Sequence, residues 1–205
     1  SGSFEDLDVP PTLVSFAVGM TKASKTISAE FKKAGSTVLY IPVPVCKECQ
    51  MPVWEELKTM YNAVYALAEQ GKILSASVVR EGGAAATVAR MCFGNKIGFT
   101  FDHELTEEEL FAPLSGSLVV ELADGAELDS NVTAYTLGTT TDNAVIDIKC
   151  GTLDIDELIE AWTGKLENVF ATKADCPKMV QDIPLTTQHS TLSPVIKVAK
   201  PKVFI

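Results

Sequence analysis

Histidine is nearly missing from this chain, with only His103 and His189 in 205 residues. One stands in an acidic loop and the other in a segment of Pro, Thr, Ser and Lys without periodicity. Neither placement suggests a Ser-His-Asp or Cys-His arrangement, and both read as surface residues. No apolar run approaches the roughly 20 residues that a membrane-crossing helix needs. The start, Ser1-Gly2-Ser3-Phe4-Glu5-Asp6, has no basic region leading into an apolar stretch. Basic residues are scarce as well, 17 Lys and Arg against 27 Asp and Glu, for a formal net charge of -10. Such a surface repels phosphate backbones, and no Lys/Arg stripe interleaves with aromatics, so nucleic acid is not an expected partner. The five cysteines, Cys46, Cys49, Cys92, Cys150 and Cys176, are odd in number and mostly scattered. They do not form the framework of a secreted, disulfide-stapled domain, and reduced thiols in a cytoplasmic protein are expected.

What the chain does have is a globular composition, 46% hydrophobic and 21% charged, enough to bury one substantial core. Strands are expected at 12–18, entered through Pro10-Pro11, and at 36–41, stopped by Pro42 and Pro44. Between 53 and 71 the residues Trp54, Leu57, Tyr61, Val64 and Ala68 recur at spacings of three and four, which predicts an amphipathic helix closed by Gly71. A buried strand at 73–79, the turn Gly82-Gly83 and a helix over 84–93 make a strand–turn–helix unit. Further strands are expected at 97–101, 117–122, 131–137 and 144–148, with a short acidic helix over 106–111 and a last amphipathic helix over 154–170. This mixed order argues for an α+β fold with helices covering a sheet.

Three groups of residues invite a chemical reading. Arg80-Glu81-Gly82-Gly83 precedes a helix, where free backbone N–H groups and a positive helix end suit a phosphate. The same residues also read as a tight turn whose glycines only permit positive φ, and the residues alone leave both readings open. Cys46-Lys47-Glu48-Cys49 is a CxxC without the second pair or His cluster of a structural zinc site, and it reads as a plain loop pair. Glu107, Glu108 and Glu109, with Asp102 nearby, read as a solvated helix face rather than a cation site.

Several stretches together resemble the carboxyl-terminal domain of the aminoimidazole ribonucleotide synthetase superfamily, in the copy that forms the second half of formylglycinamide ribonucleotide amidotransferases. They are Leu13-Val14-Ser15-Phe16-Ala17-Val18, the span from Ile73 to Met91, Cys92-Phe93-Gly94-Asn95-Lys96-Ile97-Gly98-Phe99, and Pro113-Leu114-Ser115-Gly116 running on to Leu122. The resemblance covers about residues 12–150 and is densest from Leu74 to Gly98. Many family members carry His-Asp-Arg-Ser-Asp-Gly-Gly at the turn. Here the acid and both glycines stand as Glu81, Gly82 and Gly83, while Ser77 and Val78 replace the polar His and Asp.

The resemblance implies a three-layer α/β/α domain with a mixed sheet and partial ferredoxin-like topology. It divides the chain into a lead-in over 1–11, its Ser1-Gly2 a cloning remnant, a synthetase-type domain over 12–170, and a linker over 171–205. That linker stops in mid-pattern at Lys200-Pro201-Lys202-Val203-Phe204-Ile205, which resembles the opening strand of a following glutaminase domain. In such an enzyme ATP, with Mg²⁺, activates the formamide oxygen of formylglycinamide ribonucleotide as an iminophosphate, and ammonia from glutamine displaces the phosphate. The implied role of this piece is a wall of the assembly, with no catalytic residue and no metal ligand of its own. Its partners would be the other domains of the same enzyme, and Arg80, Glu81, Gly82 and Gly83 would border a nucleotide pocket. Two rival expectations are a small-molecule-binding regulatory α+β module using the Gly-Gly turn, and a redox or metal protein built on Cys46 and Cys49.

Overall fold

A computed structural model describes residues 2–4, 7–102, 106–148, 151–169 and 171. His103, His189, Cys150, Cys176 and the expected linker beyond 171 lie outside the described residues. Nine strands and four α-helices follow in the order β1 (Gly2–Phe4), β2 (Leu7–Val9), β3 (Thr37–Ile41), α1 (Trp54–Glu69), β4 (Ile73–Val78), α2 (Gly83–Phe93), β5 (Gly98–Phe101), α3 (Glu107–Phe111), β6 (Leu118–Leu122), β7 (Tyr135–Thr141), β8 (Val145–Ile148), β9 (Gly151–Asp154) and α4 (Ile155–Thr163). β1 and β2 pair as a separate two-stranded ribbon within the lead-in.

The other strands form one mixed sheet of seven, in the order β4-β6-β3-β7-β5-β8-β9. β6 is antiparallel to both β3 and β4, so β3 and β4 are parallel to each other with β6 between them. The β3–α1–β4 crossover around an intervening strand is a split β-α-β unit, the ferredoxin-like part of the topology. β5 pairs antiparallel with β7 and parallel with β8.

Side chains alternate along the strands, and the sheet feeds two cores, one on each face. Val38, Tyr40, Phe99, Phe101, Val119 and Leu137 pack against α2 and α4, where Ala84, Val88, Met91 and Ile155 are buried. Ile41, Ile73, Leu118, Val120 and Leu122 face the other way, against Met60 and Leu67 of α1. The fold is therefore three-layer α/β/α of the α+β class, with the sheet covered on both sides. Phe31 stacks on Phe99 at 5.8 Å between ring centroids, and Phe99 meets Phe101 edge-on at 4.8 Å. Burial of each such ring is worth on the order of 2–3 kcal/mol.

Four expectations shift. Residues 12–18 form no strand, and Leu13, Phe16 and Val18 are 86–96% exposed. A strand needs a ladder partner for its backbone groups, and no described strand flanks this segment. The strand expected over 131–137 occupies Tyr135–Thr141 instead. Asp129 turns the chain first, accepting from the Asn131 backbone N–H through its side chain and from Val132 through its carbonyl. The β-branched Thr139, Thr140 and Thr141 then extend the ladder. α4 starts after Asp154, whose carboxylate accepts from the backbone N–H groups of Asp156 and Glu157, and gives way at Gly164 to a 3-10 turn well short of residue 170. β9, whose sole large apolar residue is Leu153, carries too little alternation to be read from sequence. On α1, Trp54 and Tyr61 lie outside the buried face, which runs through Leu57, Met60, Val64, Leu67 and Ala68. Tyr61 instead donates its hydroxyl to the Gly116 carbonyl.

Among the described residues, one acidic side chain is buried in these apolar layers. Glu121 of β6 accepts from Ser75 Oγ at 2.7 Å and from the backbone N–H groups of Lys32 and Lys33 at 2.9 and 3.3 Å. Removing it strands the buried Ser75 hydroxyl and takes the acceptor from two part-buried backbone donors. Glu121→Ala is expected to lower the free energy of unfolding in urea by about 3 kcal/mol, and Glu121→Gln, which keeps one acceptor oxygen, by less. A loss below about 1 kcal/mol for the alanine variant would contradict this account of the buried carboxylate.

Candidate functional site

The strand–turn–helix unit read from sequence is present as β4, the Arg80–Gly83 turn and α2. Val79 continues β4 and donates its backbone N–H to Ser117, so the turn leaves the sheet beside the loop that precedes β6. Gly83 donates to the Arg80 carbonyl, and Gly82 caps α2 in the left-handed region at φ 84°. A side chain at Gly82 would meet Ala86 Cβ at 2.6 Å. At Gly83, φ 65°, it would meet the Leu110 carbonyl oxygen at 2.3 Å and the Phe111 carbonyl carbon at 2.6 Å. The turn's positive φ calls for glycine at both positions, and the close approach of α3 requires it again at Gly83.

The turn opens on a cleft of about 900 Å³, among whose lining residues are Ala29, Ser77, Arg80, Glu81, Arg90, Ser115, Gly116 and Trp162. Arg90 comes from α2 and Trp162 from α4, and the Arg90 guanidinium sits 5.5 Å from the Trp162 ring centroid. Its Nη2 also donates to Thr87 Oγ1 at 3.2 Å, while Thr87 donates to the Gly83 carbonyl. Arg90 is thereby held by a ring face and a hydroxyl, whereas Arg80 projects from an exposed turn. Two guanidinium groups against one carboxylate, Glu81, give this cleft a positive balance in a chain of net charge -10. An anionic ligand suits it. A second cavity of about 700 Å³, near Pro42–Val45, carries Lys47 against Glu55 and Glu56, the opposite balance.

The four residues singled out in the sequence thus divide. Arg80 and Glu81 line the cleft, Gly82 borders a neighbouring apolar groove with Ala86, Phe93 and Phe111, and Gly83 is buried beneath α3. Sequence reading missed Arg90 and Trp162 as a pair. The Ala89-Arg90-Met91 triplet and the Trp162 position on an amphipathic helix were visible, but their meeting depends on how α2 and α4 pack. Among the described residues no group of three or more His, Cys, Asp or Glu could hold a metal ion. Glu109 is engaged locally, accepting from the Thr106 backbone and hydroxyl in a capping box, bonds that hold its carboxyl below the usual carboxylate range. Glu107 and Glu108 are exposed on the same short helix.

The α+β sheet and its two-sided helix cover are shared with several solved structures. No family model matches the sequence. Phosphoribosylformylglycinamidine synthase II from Thermotoga maritima is similar in structure, with TM-score 0.53 and 9% identity over 67% of this chain and 28% of that one. The same organism's PurL complexed with ATP gives 0.51 and 9% over 67% and 28%. PurL complexed with FGAR gives 0.51 and 8% over 66% and 30%. At these identities the likeness is one of fold, and the chain spans less than a third of each solved protein.

Gly83→Ala is expected to cost about 3 kcal/mol of stability, the left-handed backbone and the collision with α3 acting together. Gly125→Ala, also at positive φ but facing open space, should cost about 1 kcal/mol. Urea denaturation of both variants checks this, and equal losses would contradict the close approach.

Proposed function

We infer that this chain is part of a phosphoribosylformylglycinamidine synthase. In this reading it is the carboxyl-terminal domain of the second synthetase-type module of an ATP- and glutamine-dependent ligase. The ligase converts formylglycinamide ribonucleotide to formylglycinamidine ribonucleotide in cytoplasmic purine biosynthesis. The domain occupies residues 12–170, and 171–205 lead toward a glutaminase domain. It has no turnover of its own and contributes a wall to a ligand pocket.

One observation carries this reading. The stretch whose order resembles the family, Leu74 to Gly98, folds as β4, turn, α2 and the start of β5 within a sheet that matches the solved synthases, and its arginine and acid border the positively balanced cleft. The exposed Leu13, Phe16, Val18 and Met20 also suit a surface covered by neighbouring domains.

Arg80 and Arg90 are the groups that would receive phosphate oxygens, Arg90 already oriented by Trp162 and Thr87. ATP supplies the phosphoryl group that activates the formamide oxygen in the complete enzyme. Glu81 is the single carboxylate among the cleft's lining residues, too few to hold Mg²⁺, which in this reading is held by phosphate oxygens and other domains of the complete enzyme.

Calorimetric titration of ATP, ADP and formylglycinamide ribonucleotide, each with Mg²⁺, into the chain tests the reading. Binding of at least one ligand is expected, weakened about tenfold in Arg80→Ala through loss of a charge-assisted contact. Absence of binding at millimolar ligand, or unchanged affinity in the variant, would count against this pocket.

A further inference from the structure

The Cys46–Cys49 loop is unused by the proposed function and has a defined geometry. Cys46 donates its backbone N–H to Met51 and accepts at its carbonyl from the Gln50 backbone N–H, both at 2.9 Å. Val45 and Pro52 close the base as a β-bridge, and Val53 donates to the Pro44 carbonyl. Gln50 takes a positive φ of 56°, which turns the chain back sharply after Cys49. The loop is a hydrogen-bonded knuckle with both thiols free, Cys46 half-buried and Cys49 exposed.

We propose that Cys46 and Cys49 form a reversible dithiol–disulfide pair, oxidised by low-molecular-weight disulfides, with Cys46 as the attacking thiol and Cys49 as the resolving one. The backbone N–H and thiol of Cys49, with the backbone N–H of Glu48, hold the Cys46 thiol below its ordinary value. The Gln50 N–H to Cys46 carbonyl bond and the left-handed Gln50 fold both cysteines into one closed turn. No third ligand accompanies them among the described residues, so the pair is better suited to exchange than to a four-coordinate metal.

The step balances as thiol–disulfide exchange. The Cys46 thiolate attacks one sulfur of the small disulfide, a mixed S–S bond forms, and the first small thiol leaves with a proton. Cys49, losing its proton, then attacks the Cys46 sulfur, the mixed bond breaks, and the second small thiol departs. Two protein thiols are oxidised and one disulfide is reduced to two thiols. Cys92 is fully buried in the core with its thiol pushed up to about 12, and stands outside this chemistry.

The test incubates the intact chain with oxidised glutathione near neutral pH and maps the products by peptide mass. The wild type is expected to give a 46–49 bridge, two hydrogens lighter than the dithiol. Cys49→Ser should trap glutathione on Cys46, and in Cys46→Ser the adduct on Cys49 should form at least about tenfold more slowly. Persistent adducts on both cysteines of the wild type, equal rates in the two variants, or stoichiometric zinc in the purified chain would overturn the proposal.

Discussion

The buried carboxylate of Glu121 fixes the segment on which both the core and the cleft depend. By accepting from the backbone of Lys32 and Lys33 and from Ser75, it ties the approach to β3 to the centre of β6 and to β4. That approach carries Phe31, whose backbone N–H donates to Met91 and whose carbonyl accepts from Asn95, so α2 is gripped at its carboxyl end. It also carries Ser28, whose carbonyl accepts from Ala76 and covers part of the outer edge of β4, and Ala29, which lines the cleft. A single ion placed between sheet and helix is costly unless every lone pair finds a donor. Here the donors are mostly backbone, so satisfying the ion fixes the path of the chain as well.

From this anchor the cleft follows. α2 is held at its far end by the Phe31 contacts and at its near end by the Gly82-Gly83 turn, which lets α3 pass at backbone distance. With both ends set, Arg90 on the last turns of α2 is presented to Trp162 of α4, and Arg80 stands at the opposite end of the helix. The positive balance of the cleft is therefore a product of packing, in a chain whose composition points the other way.

This explains which parts could be read from the residues alone. β3, α1, β4, α2, β5 and β6 declare themselves through period and punctuation, because each buries one face or both against a neighbour that is near in sequence or in the sheet. Residues 12–18 carry a strand's composition, yet composition cannot supply a partner, and the segment is exposed in this chain. The strand expected over 131–137 ends too early because Gly138 looks like a stop, whereas in the sheet it admits the Thr100 carbonyl at a distance no Cβ allows. The turn at Arg80 was legible as a motif, but Arg90 and Trp162 lie 72 positions apart and meet only through tertiary packing.

Hydrogen–deuterium exchange of the chain, with and without formylglycinamide ribonucleotide or ADP with Mg²⁺, tests the central claim that this packed turn faces a ligand. The account predicts slowed exchange confined to 76–81, 115–116 and the immediate surroundings of Ala29, Arg90 and Trp162, which line the cleft, with the rest of the sheet unchanged. Protection confined to the cavity near Pro42–Val45, or none at saturating ligand, would contradict it.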